Sequence, residues 1–163
     1  MPTDVLRLAE VETAEVADLL ARFGLHLQTC ASGHSITASY WGEPEAGIAG
    51  DRLYARGDTP LHSILHEASH YICMDAGRRQ RLHRDAGSDE AEENAVCYLQ
   101  ILLADAFESF GRERMLADMD RWGYSFRLGS SRAWFEHDAT DALEWLQHHG
   151  LVDHRQRPGY RLR

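Results

Sequence analysis

The segment His66-Glu67-Ala68-Ser69-His70 sets two imidazoles four residues apart, with a carboxylate directly after the first. On a helix, residues i and i+4 stand one above the other on the same face, so both rings can reach one divalent transition-metal ion. Glu67 projects beside the pair, where it can act on water or brace a ligand. Two histidines do not hold an ion in a catalytic site, and a third protein ligand is expected. The candidates are Glu90, Glu92 and Glu93, which begin a second helix 20 to 23 residues past His70. With about 100° per residue and Ala95, Leu99, Leu102 and Ala106 as the buried face, Glu92 lies nearest that face, Glu90 well off it and Glu93 further round.

Two chemistries use such a set. With Zn(II), Glu67 as general base gives amide hydrolysis. With Fe(II), two histidines and one carboxylate leave positions open for dioxygen and give oxidation. A non-catalytic metal-binding module is the third reading. Around the motif, His62 stands one turn before His66, as a fourth ligand or a group behind the ligands. Tyr71 and Tyr124 are possible hydrogen-bond donors or core aromatics. Cys73 and Cys97 fall on the two metal-bearing helices and read as small buried apolar residues.

Positioning these residues requires a scaffold, and the periodicity supplies one. Val16, Leu19, Leu20 and Phe23 mark an amphipathic helix over 11–23, stopped by Gly24. Weak alternation over 25–30 and 35–41, joined by Ala31-Ser32-Gly33-His34, predicts a hairpin. Arg52–Arg56 is a third strand, with an edge that could hold an extended substrate. Thr59 is the expected N-cap of the metal helix, with Pro60 in its first turn, and the helix runs to about Met74. A polar loop over 78–87 leads to the acidic helix start at Ser88-Asp89-Glu90, where carboxylates complement the dipole. That helix continues to about Phe110, followed by helices over 112–122 and 131–149. The expected fold is α+β, a small antiparallel sheet followed by a helical bundle carrying the HExxH site, in one domain spanning 1–163.

Composition narrows the setting. A formal charge of −9 disfavours nucleic acid as a partner. No apolar run reaches the roughly 18 residues of a membrane span. The start, Met1 to Val5, lacks a secretory pattern. Three cysteines without a CxxC pair fit a reducing cytoplasm rather than a disulfide framework.

The motif and its spacing to the acidic helix resemble gluzincin-like zinc peptidases, in which a segment such as Glu92-Glu93-Asn94-Ala95 follows HExxH. A more extended likeness is to the elongation factor P hydroxylase family of small bacterial proteins. It rests on Gly42-Glu43-Pro44, Arg52 to Gly57, Ser63 to Tyr71, Gly77-Arg78-Arg79, and a Glu followed by Asn94-Ala95 and Tyr98-Leu99. These cover about the middle third of the chain. The resemblance implies a non-haem iron hydroxylase of a protein side chain, with elongation factor P or another translation protein as partner. It also implies Glu90 as the carboxylate ligand, at the helix entrance, against the periodicity's choice of Glu92. Glu90 is the expected third ligand on that ground.

Overall fold

The structure, a computed structural model, describes residues 4–163. Residues 1–3, which belong to the segment read above for a secretory pattern, lie outside the described residues. Among those described, α1 (Thr13–Ala21) precedes three strands, β1 (His26–Cys30), β2 (Gly47–Ala49) and β3 (Arg52–Arg56). Six helices follow: α2 (Leu61–Cys73), α3 (Ala76–Gln80), α4 (Glu90–Ala104), α5 (Gly111–Trp122), α6 (Ser131–His137) and α7 (Thr140–His148). The fold is mixed α and β, as the α+β expectation has it. Among the described residues no helix is long and apolar enough to cross a membrane.

The sheet departs from its expected form. Its order is β1-β3-β2, with β1 parallel to β3 and β2 antiparallel to it, so the sheet is mixed and β3 is its centre. The predicted hairpin between 25–30 and 35–41 does not form. Ala38 takes a left-handed φ of 59°, which ends any extended run there. The segment instead crosses the edge of β2 at a single Ser39–Gly47 bridge. Gly47 allows that crossing, because a Cβ on it would lie 1.9 Å from the Thr37 carbonyl oxygen. The true hairpin joins β2 to β3 through Gly50, at φ 58°.

Helix α4 ends at Ala104, short of the expected Phe110, and three other helix boundaries differ for local reasons. Pro60, not Thr59, caps α2, because the Thr59 hydroxyl accepts the Arg56 amide and closes the preceding turn. Asp75 accepts the Arg78 amide and starts α3 inside the expected loop. The expected helix over 131–149 breaks at Asp138-Ala139 into α6 and α7, and Asp138 is drawn aside to pair with Arg127.

One continuous core runs from Leu8 to Val152. The helix α2 lies at its centre, and all thirteen of its residues are buried, including His66, Glu67 and His70. It packs chiefly on α4, which in turn carries α7 and α5. A polar motif on so buried a helix requires partners for its nitrogens and oxygens.

Candidate metal centre

His66 and His70 sit on the face of α2 turned to the N-terminal half of α4, their rings 4.7 Å apart and nearly perpendicular. Both rings aim Nε2 at one carboxylate. Glu93 places Oε1 3.3 Å from His66 Nε2 and Oε2 3.1 Å from His70 Nε2. His66, His70 and Glu93 form a group that could hold a metal ion, with one donor atom from each within 4.8 Å of the others. The fit is chemical as well as geometric. Donors about 2.0–2.2 Å from a tetrahedral ion stand about 3.4 Å apart, close to the separations already present. Two imidazoles and a carboxylate are an ordinary set for zinc or iron.

Of the three acidic candidates, the structure turns only Glu93 to the histidines. Glu90, the expected ligand, is the first residue of α4 and is exposed, facing a separate hollow with Asn94 and Asp141. The helix is already regular at Glu90, so the side chain takes the outer face. Glu92 is buried, as its phase requires, but it points to the C-terminal end of α2, where Arg163 also donates to the Cys73 carbonyl. There it pairs with Arg78 at 2.6 Å and Arg163 at 3.1 Å. Asp89 caps the helix by accepting the Glu92 amide, which fixes the phase of all three carboxylates.

Glu67 is 4% exposed and carries no hydrogen bond to its carboxylate among the described residues, yet it faces open space. A cavity of about 420 Å³ lies on one side of it, rimmed by Tyr40, Trp41 and the 84–88 segment. A second of about 300 Å³ lies on the other, walled by Glu45, Trp122 and Tyr124. His66, Glu67, Glu93 and Trp41 border both. Burial pushes the Glu67 carboxyl up to about 7. Burial also raises Glu45, against the hydrogen bond it accepts from Trp122 Nε1 at 3.0 Å. Burial would raise Glu93 too, but the two imidazoles hold it well below the usual carboxylate range.

The flanking residues divide cleanly. His62 is not in the donor set. Its Nδ1 lies 3.0 Å from the Tyr124 hydroxyl, and burial lowers it to about 3, so the ring is neutral. Tyr124 is a wall of the site, and burial raises its hydroxyl. Tyr71 stands apart under the Arg79 guanidinium, 5.3 Å from its ring centroid. Cys73 is fully buried, and burial raises its thiol well above the usual value. Cys97 is buried one turn past Glu93. Sequence reasoning missed Gln100, Glu45 and Trp41. Gln100 had a signal: an amide inside the apolar run from Ala95 to Ala104, and in line with Glu93 and Cys97 at i, i+4 and i+7.

Compared with protein-family models, with curated proteins and with solved structures, the chain matches none of them. The likeness to elongation factor P hydroxylases and gluzincins therefore rests on the motif residues alone.

Proposed function

We propose that the protein is a metal-dependent hydrolase in which His66, His70 and Glu93 hold Zn(II) and Glu67 is the general base. The observation that carries this reading is the convergence of both Nε2 atoms on Glu93, beside a buried carboxylate, Glu67, that accepts no hydrogen bond among the described residues. A bound zinc ion supplies Lewis acidity and lowers the pKa of water at the site. The chain supplies the rest. Glu67 accepts a proton at a carboxylate that opens only to the cleft. Trp41, 66% exposed at the rim, offers an apolar wall against which a substrate can exclude water.

The substrate is an amide carried on a side chain or at a chain end. An extended peptide would need a free strand edge at the site, and β3, the expected edge, is the central strand. The outer edge of β2 is covered as well, by Ser39 at Gly47 and by His83 at Ala49. The Arg84 amide also donates to the Ile48 carbonyl, at 2.8 Å.

The covered edge supports a second reading equally. Oxidation of a protein side chain by Fe(II) needs no strand addition, and two histidines with one carboxylate leave coordination positions open. The segment resembling elongation factor P hydroxylases around Gly42-Glu43-Pro44 leads from Trp41 to Glu45, both of which line the cleft. One experiment separates the readings. Zinc-loaded protein is assayed for amide cleavage on short and side-chain amides, and iron-loaded protein for oxygen uptake with a reductant. The hydrolase reading expects cleavage that Glu67→Gln abolishes while zinc stays bound. Oxygen uptake without cleavage overturns it in favour of oxidation, and neither activity favours a binding module.

A further inference from the structure

Gln100 is fully buried in α4 between Leu99 and Ile101. A buried amide must find partners for one carbonyl and two N–H donors, or it costs about 1–3 kcal/mol. Here both ends are used. Oε1 lies 2.8 Å from His66 Nδ1. Nε2 donates to the His62 backbone oxygen at 3.0 Å and reaches the Tyr124 hydroxyl oxygen at 3.4 Å.

These partners fix the direction of each bond. The His62 carbonyl can only accept, so the Gln100 nitrogen must face it and the Gln100 oxygen must face His66. An oxygen there demands a proton on His66 Nδ1, so once a metal displaces the hydrogen that Nε2 shares with Glu93, the lone pair is on Nε2, on the side of His70 and Glu93. Tyr124, receiving Gln100 at its oxygen, keeps its own hydrogen for His62 Nδ1, 3.0 Å away. His70 has no such brace among the described residues, where its buried Nδ1 lacks a partner. The two ligand imidazoles are therefore held unequally.

We propose that Gln100 is the positioning residue of the metal centre: it sets the metal-binding tautomer of His66, and Tyr124 and the His62 carbonyl lock Gln100 in turn. The inference rests on the metal reading and goes beyond it, since nothing in HExxH names a residue on α4 as the partner of its first histidine. Gln100 acts through His66 and touches neither the ion nor the substrate. Its amide also ties α4 to α2 at the level of the first ligand.

The test measures zinc affinity by competition and the protonation of His66 by imidazole nitrogen NMR, in wild type, Gln100→Leu and Gln100→Glu. Wild type is expected to carry a proton on His66 Nδ1 both with and without zinc. Gln100→Leu is expected to bind zinc about 10- to 100-fold more weakly, the usual loss for removing a partner behind a ligand. Gln100→Glu keeps the acceptor for His66 but loses the donor to the His62 carbonyl. It should therefore keep the His66 Nδ1 proton and bind zinc more weakly than wild type and more tightly than Gln100→Leu, an order that a packing role, which Glu fills as well as Gln, does not give. Wild-type affinity in folded Gln100→Leu, or a bare His66 Nδ1 in wild type, overturns the proposal while leaving the metal site standing. Should Gln100→Leu fail to fold, the wild-type spectrum and the Gln100→Glu affinity decide. A wild-type chain that takes up no zinc overturns both.

Discussion

Glu92 and Glu93 are neighbours in sequence and in the same turn of α4, Glu92 buried and Glu93 partly open to the cleft, and their surroundings are opposites. Glu92 lies between two guanidinium groups, Arg78 and Arg163, so its charge is already balanced. Glu93 lies between two imidazoles that are also the donor atoms of the HExxH motif. One carboxylate completes an ion cluster that closes the fold, and the other completes a donor set that a cation would close. A helical step of about 100° is all that separates them. Burial and negative charge are therefore poor guides to function here, and the sign and basicity of the facing groups are good ones.

The comparison can be broken at either carboxylate. The largest effect is expected at Glu93. Glu93→Ala should weaken zinc binding by at least about 100-fold, since two histidines alone do not hold a catalytic ion. The metal-free protein should lose no more than about 1 kcal/mol, because the Glu93 side chain is 43% exposed to the cleft. Zinc should raise the melting temperature of wild type and not of Glu93→Ala. Glu92→Ala should do the reverse. It leaves two arginines without their buried partner, which costs about 2–3 kcal/mol. That is less than the 3–5 of a fully buried pair, because Arg78 and Arg163 keep about a third of their surface in water. Its zinc stoichiometry should stay at the wild-type value, checked by denaturant unfolding beside metal analysis.

Smaller effects sharpen the contrast. Arg163→Ala removes one of the two guanidiniums on Glu92, a bond to the Cys73 carbonyl and a stacking contact with Trp145. A loss of about 1 kcal/mol is expected, again with zinc affinity unchanged. Glu90→Ala should move stability by no more than about 0.5 kcal/mol and zinc affinity not at all. A fall in affinity there of tenfold or more would return the ligand to the helix entrance that the family resemblance implies.

How much of this the sequence showed depends on the distance over which each feature is decided. The long helices α2 and α4 were legible because their patterns repeat within the element. So were His66, Glu67 and His70, whose relation is set by i, i+4 geometry alone. The choice among Glu90, Glu92 and Glu93 was not legible. Periodicity gives the face of α4 that is buried, and it rightly buries Glu92, but it does not say which part of that face meets α2. The stripe of Glu93, Cys97 and Gln100 would have said so, had a buried amide been treated as a sign of a polar neighbour. The sheet misled for a similar reason. A three-residue β2 beginning at Gly47 has too little alternation to show. The pairing of β1 with β3 skips the segment 35–41, whose alternation is real but is interrupted by the left-handed Ala38. The break between α6 and α7 rests on a side-chain pair across eleven residues, Arg127 with Asp138, which no local pattern records.

The claim on which the whole account depends is that His66 and His70, with Glu93, bind one divalent transition metal. The most direct measurement is the metal content of protein purified anaerobically and without a histidine tag, compared between wild type and the His66→Ala/His70→Ala double variant. Wild type is expected to hold one zinc or iron per chain and the folded double variant none. Equal metal content in the two proteins would contradict that claim.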